Sequence, residues 1–177
     1  MSARARFDVI ASEVVDPVRR YPARRTDQAT ADDVLSEVLV VLWRRGNAVP
    51  VGEEIPYAIG VARLQLQNAV RGTRRQERLV ARIIAVDPPR EVVPGAEPRD
   101  GRVELVRRAL TQLREADAEV LRLHVWEELT VAQIAEVLRV STNAVSIRLH
   151  RAKKKMADRI RKMSGPDGHA AVKEGDR

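Results

Sequence analysis

"TVAQIAEVLRVSTNAVSIRLHRAKKKM", Thr130 to Met156, decides the fold of this chain. In its second half and just beyond, Val145, Leu149, Ala152, Met156 and Ile160 recur at helical spacing and form one apolar stripe. Ser141 precedes the run, where its hydroxyl can accept from the unpaired amides of a first turn. Asn143, Ser146, Ile147, His150, Arg151 and Lys154 share the opposite face. The first half reads as a shorter helix. Thr130 and Gln133 have capping-box spacing, and Val131, Ile134, Ala135 and Leu138 supply its buried side. Arg139 and Val140 make the turn, and Ala135 is small where two helices must cross closely. A short helix, a tight turn and a second helix with a polar-basic face make a helix-turn-helix.

Charge sharpens the reading. Between Ser141 and Met163, eight basic residues stand against Asp158 alone, an excess of +7. The whole chain of 177 residues also carries +7 with histidine neutral, so everything outside this helix sums to zero. A charge run by itself is most often a solvated face, and a helical hairpin with a basic exterior is the bland alternative. Capping, turn and charge agreeing at once point instead to DNA. Asn143, Ser146, Ile147, His150 and Arg151 are then the candidates for base edges in the major groove. Arg148, Lys153, Lys154 and Lys155 lie nearer phosphates.

Two more amphipathic segments lie upstream. Val103, Val106, Leu110 and Leu113 line one; Val120, Leu121, Leu123 and Val125 line the other. Four helices from about Arg102 to Met163 make a small all-helical DNA-binding domain.

The run from Leu113 to Met156 resembles the C-terminal domain of extracytoplasmic-function sigma factors, the small bacterial promoter-specificity subunits of the sigma-70 family. "AEVLRLHVWEELT", "IAEVLRVS" and "RLHRAKKKM" carry most of the likeness. The resemblance implies that the last helix reads the upstream (−35) promoter element. The family often has Pro where this chain has Arg114, and Gly where it has Glu128 and Arg139. An arginine at the turn either avoids positive φ or adopts it at some cost.

The N-terminal half is organised differently. "TADDVLSEVLVVLWRR", Thr30 to Arg45, is an amphipathic helix with Val34, Leu35, Val38, Leu39 and Leu42 toward a core. Asp32, Asp33, Ser36 and Glu37 form an acidic rim, with the aspartates expected in the first turn, where they favour the helix dipole. A polar loop, Arg44 to Pro56, leads into a helix from Tyr57 to Arg82. Ile59, Ala62, Leu66, Ala69 and Val70 face inward there, and Arg63, Gln67, Arg71, Arg74, Arg75 and Arg78 form an outer basic stripe. "DPPREVVPGAEPRDG", Asp87 to Gly101, packs four prolines and two glycines into a stretch no helix tolerates. The expected organisation is therefore all-α: domains at 7–82 and 102–163, a flexible linker at 83–101 and a disordered tail at 164–177.

"DDVLSEVLVVLWR" is similar to the part of the sigma fold that grips the clamp helices of core RNA polymerase. The resemblance implies core-polymerase contacts at Asp33, Ser36 and Glu37. It implies that the helix from Tyr57 opens and reads the downstream (−10) element through Arg63, Gln67, Asn68, Arg71, Arg74 and Arg75. The loop from Gly46 to Pro56 would hold a flipped base, because unstacking must be offset by pocket contacts and backbone charge. Here the family's usual Gln is Ser36, its usual Phe is Leu39, a common Asn is Leu64 and a frequent Asp is Asn68. Aromatics are confined to Phe7, Tyr21, Trp43, Tyr57 and Trp126, so promoter opening is expected to lean on the arginine stripe and the loop.

With no cysteine, disulfides and thiolate chemistry are excluded. His124, His150 and His169 are isolated, and no phosphate loop or nucleophile elbow appears. No catalysis, metal or cofactor is expected. The N-terminal residues lack the apolar run of a signal peptide and no stretch approaches membrane-spanning length, so no membrane insertion and a cytoplasmic location are expected. The resemblance implies core RNA polymerase, promoter DNA and an anti-sigma factor as partners. A stand-alone helix-turn-helix regulator stays open, and so does an adaptor that binds protein through apolar positions such as Val40 and Val41.

Overall fold

The computed structural model describes residues 3–83 and 101–164; for 73–83 it describes the helix but not the side chains. The expected linker at 83–101 and tail at 164–177 lie almost wholly outside the described residues. Among the described residues there are seven α-helices and no strand, which makes the fold all-α as expected. The helices fall into two compact units, α1 to α3 in one and α4, α5, α7 and most of α6 in the other.

The first unit opens with a helix where none was expected, α1 at Ala3–Ala23. Pro17 and Pro22 lie inside it and mask it in the sequence, since proline removes a helical donor and usually ends a helix. Its buried residues are Arg6, Ile10, Val14, Val18, Tyr21 and Pro22, a stripe at intervals of about one turn. That stripe packs against both α2, Gln28–Arg45, and α3, Glu54–Ile83, which also pack on each other. Ala31, Val34, Val38 and Leu42 of α2 and Ala58, Ile59, Ala62 and Leu66 of α3 complete the core.

Three expectations in this unit are corrected. Helix α2 starts before Thr30, capped by Asp27, whose Oδ1 accepts the Thr30 amide at 2.9 Å. That amide bond, joined by the Thr30 hydroxyl, holds the Asp27 carboxyl below the usual carboxylate range. Asp32 and Asp33 therefore lie beyond the first turn, and Asp27 takes the N-terminal role expected of them. Helix α3 starts at Glu54 rather than Tyr57, with Pro56 in the first turn, where no intrahelical donor is missed. Val70 is exposed rather than inward-facing.

In the second unit, α4 at Gly101–Thr111 and α5 at Glu115–Val125 both pack on α7, Thr142–Ser164. Ala109 and Leu110 are the buried pair of α4, in its last turn, so Val103 and Val106 are exposed where a core face was expected. Val125, the final residue of α5, is likewise exposed, while Val120, Leu121 and Leu123 are buried as expected. Burial follows the neighbouring helix, not the length of the apolar stripe.

Helix α6 spans Val131–Leu138, and the turn to α7 settles the question raised by Arg139. Arg139 adopts φ +55°, and Glu128 adopts φ +56° before α6. The Val140 amide reaches back to the Ala135 carbonyl at 3.0 Å, closing the helix end by the bond pattern that usually goes with a glycine. Both positions lack the glycine's freedom, which costs about 1 kcal/mol each.

Candidate nucleic-acid interface

Helix α7 is fixed by local chemistry. The Ser141 hydroxyl accepts the Ala144 amide at 3.2 Å. Before α6, the Gln133 amide donates to Thr130 Oγ1 at 3.3 Å and the Thr130 amide donates to Gln133 Oε1 at 3.0 Å, a reciprocal capping box. Val145, Leu149 and Ala152 are buried, which leaves Asn143, Ser146, Ile147, His150, Arg151 and Lys154 together on one exposed face. Arg148 is half-buried at its edge. The face offers amide, hydroxyl, imidazole and guanidinium groups around Ile147, a set able to hydrogen-bond base edges and cover a thymine methyl.

The three lysines of the block differ in their partners. Lys155 Nζ donates to Oδ2 of the buried Asp117 at 2.7 Å, tying α7 to the first turn of α5. Lys153 Nζ lies 3.2 Å from His124 Nε2, and His124 Nδ1 lies 3.2 Å from the Leu129 carbonyl. A carbonyl can only accept and an ammonium only donate, so this arrangement needs the proton on Nδ1. Lys154 is exposed between them. Asp117 and His124 are residues that sequence reasoning missed as parts of this site; the 38-residue separation of Asp117 from Lys155 leaves no local signal.

In the first unit, Asp33, Ser36 and Glu37 are exposed on the outer face of α2, as the amphipathic pattern required. Ser36 Oγ donates to the Asp32 carbonyl at 2.9 Å, so the hydroxyl is partly occupied by its own helix. The same face continues into Val40 and Trp43, both exposed, with Val41 half-buried. Trp43 meets Phe7 edge to face at 5.1 Å, which holds the indole in place at the α1 side of α2.

Along α3, Gln67, Asn68 and Arg71 are exposed and Arg63 is half-buried. Arg71 donates to the Gln67 carbonyl at 3.1 Å and to Asn68 Oδ1 at 3.0 Å, which lays the guanidinium along the helix. Arg74 and Arg75 belong to α3, but their side chains lie outside the described residues. The loop before α3 is built rather than slack. Gly46–Ala48 form one 3-10 turn, and Val49 is buried. Arg6 Nη2 donates to the Val49 carbonyl at 3.2 Å and to Glu54 Oε1 at 2.9 Å. Burial pushes the Glu54 carboxyl up, but hydrogen bonds from its own amide, from Arg6 and from Gly52 outweigh that and hold it below the usual range.

Among the described residues, no three His, Asp or Glu side chains are placed to share a metal ion, and no helix is long and apolar enough to cross a membrane.

Comparison with known proteins follows the same division. Residues 104–156 match the family model for Sigma-70, region 4, a span covering α5, α6 and most of α4 and α7. No curated protein matches the sequence. Among solved structures, the chain is similar to the sigma factor RpoE of Bartonella quintana, seen in complex with the anti-sigma factor NepR. The TM-score is 0.64 at 15% identity, over 90% of this chain and 98% of that one. It is also similar to CnrH, seen in complex with the cytosolic domain of CnrY, with TM-score 0.57 at 19% identity over 92% of each chain. At such identities the likeness is one of fold, and it extends through both units.

Proposed function

We propose that this chain, a sigma-70 family protein by its region 4, is an alternative sigma factor of the extracytoplasmic-function type. It binds core RNA polymerase, directs it to particular promoters and is held in check by an anti-sigma factor. The observation that carries the reading is the capped α7, whose exposed polar face from Asn143 to Lys154 falls inside the segment matched as region 4. The fold likeness across both units supports a first unit with the companion role, and the partner of RpoE in its complex supports restraint by an anti-sigma protein.

The surfaces then divide by task. Asn143, Ser146, Ile147, His150 and Arg151 read the upstream element, and Arg148, Lys153, Lys154 and Lys155 supply charge around it. Arg63, Gln67, Asn68, Arg71, Arg74 and Arg75 track the opened downstream element. Asp33, Ser36 and Glu37 dock on polymerase. The chain acts by binding and positioning rather than by catalysis, in the cytoplasm where its polymerase works.

The deciding experiment is binding to core RNA polymerase, comparing the native chain with Asp33→Arg plus Glu37→Arg. Stoichiometric binding lost in the double variant is the expected result. A chain that ignores polymerase and grips a palindromic DNA site as a dimer is instead a stand-alone regulator.

A further inference from the structure

One buried ion pair has no role in the surfaces above, yet both of its ends hold a single loop. Arg6 and Glu54 meet at 2.9 Å with side chains only 11% and 7% exposed. They are 48 residues apart, on the first turn of α1 and the first residue of α3. The same guanidinium nitrogen that binds Glu54 also binds the carbonyl of Val49. Its two hydrogens thus fasten both ends of the four-residue segment Pro50–Glu53.

That segment is a turn of defined shape. The Glu53 amide donates to the Pro50 carbonyl at 3.2 Å, and Gly52 sits at φ +82°, the geometry of a type II turn. The turn holds Val51 at its first central position, 87% exposed. A buried ion pair adds little net stability over apolar side chains of the same volume, so holding position is the better account of this one.

We propose that Arg6 and Glu54 are positioning residues for promoter opening, pinning the Val49–Glu54 turn so that Val51 meets an unpaired base of the melted element. This rests on the sigma-factor reading. The arrangement suits a chain poor in aromatic residues: an apolar side chain on a turn that cannot swing away gives an extruded base a fixed wall without stacking. The ligand class is single-stranded DNA, and the contact is apolar against a base face or edge.

The test uses holoenzyme assembled with core RNA polymerase and a pool of promoter-length duplexes randomised over both elements, with bound sequences read out. Two variants are compared with the native chain. Arg6→Met plus Glu54→Met keeps the buried volume apolar and removes the clamp. Gly52→Ala distorts the turn through φ alone, because no atom lies within 4 Å of the added methyl. The expected result is that both variants bind polymerase and keep the upstream preference. At the same one or two downstream positions their base preference falls roughly tenfold, the scale of one lost base contact. An unchanged downstream preference in Gly52→Ala overturns the proposal, even where the double variant fails to fold. An unchanged preference in a folded double variant also overturns it. A native holoenzyme that selects no sequence at either element sinks the sigma reading itself, an outcome distinct from selection of both elements without sensitivity to the clamp.

Discussion

The two units differ in how their helix junctions and helix contacts are fixed. In the second, each helix junction is settled within a few residues. Thr130 with Gln133, Ser141 with Ala144, and the Val140-to-Ala135 closure all act across three to five positions. The first is fixed by remote partners: Arg6 with Glu54, Phe7 with Trp43, and an α1 stripe that meets both other helices. Local rules fix a structure that can be read residue by residue. Remote ones fix a structure whose determinants show only once the chain is folded.

The sharpest way to break this contrast is to remove one member of the remote pair. Glu54→Ala leaves the Arg6 guanidinium buried without its anion and should destabilise the first unit by about 3–5 kcal/mol. The two tryptophans of the chain, Trp43 and Trp126, fall one in each unit, so fluorescence of single-tryptophan variants during urea unfolding reports each unit separately. The expected outcome is a large fall in the Trp43 midpoint with the Trp126 midpoint unchanged. Equal falls in both would mean that the units do not unfold independently.

A smaller effect of opposite sign tests the turn. Arg139→Gly relieves a side chain held at positive φ and should stabilise the second unit by about 1 kcal/mol, less the entropy that glycine adds to the unfolded chain. Removing a cap acts the other way: Ser141→Ala should cost about 1 kcal/mol, read as a lower Trp126 midpoint. If Arg139→Gly destabilises instead, the arginine side chain makes a contact that outweighs its backbone strain.

How much was legible follows from the same contrast. The helix-turn-helix, its caps and the exposed polar face of α7 could be taken from spacing alone, because capping side chains sit within one turn of the amides they serve. The φ of Arg139 could only be posed as a question, since sequence does not say which of two backbone states an arginine will bear. Helix α1 was missed because Pro17 and Pro22 are local arguments against a helix that tertiary burial overrides. Val103, Val106 and Val125 were misplaced because a stripe names a face but not where its neighbour ends. Lys153 and Lys155 read as free charge until His124 and Asp117 met them across the helices.

That last pairing yields a measurable division among three adjacent lysines. If all three contact phosphates, each neutralising substitution should lower the salt slope of DNA binding by about one unit. With Lys155 engaged by Asp117, Lys154→Gln should show that full reduction and Lys155→Gln a smaller one. Equal slopes would mean that Lys155 leaves Asp117 when DNA arrives.

Two carboxylates carry the contrast down to proton binding. Glu104, on the surface of α4, is held at about 2, against a usual 4.5, by hydrogen bonds from Arg107 and then Arg108. Glu54 is also lowered, but inside the first unit and largely through fixed backbone amides and Arg6. For each, the folded state binds its proton less readily than the unfolded chain. The stability each contributes is present above the ordinary carboxylate value and is lost as pH falls through the folded one. Salt separates them. Ions screen the exposed arginines around Glu104 but do not reach the buried pair. A carboxyl titration followed by NMR at low and high ionic strength should therefore move Glu104 upward toward its ordinary value and leave Glu54 in place. Movement of both would show that water and ions enter the Arg6–Glu54 site, and the remote clamp would then be no more sheltered than a surface pair.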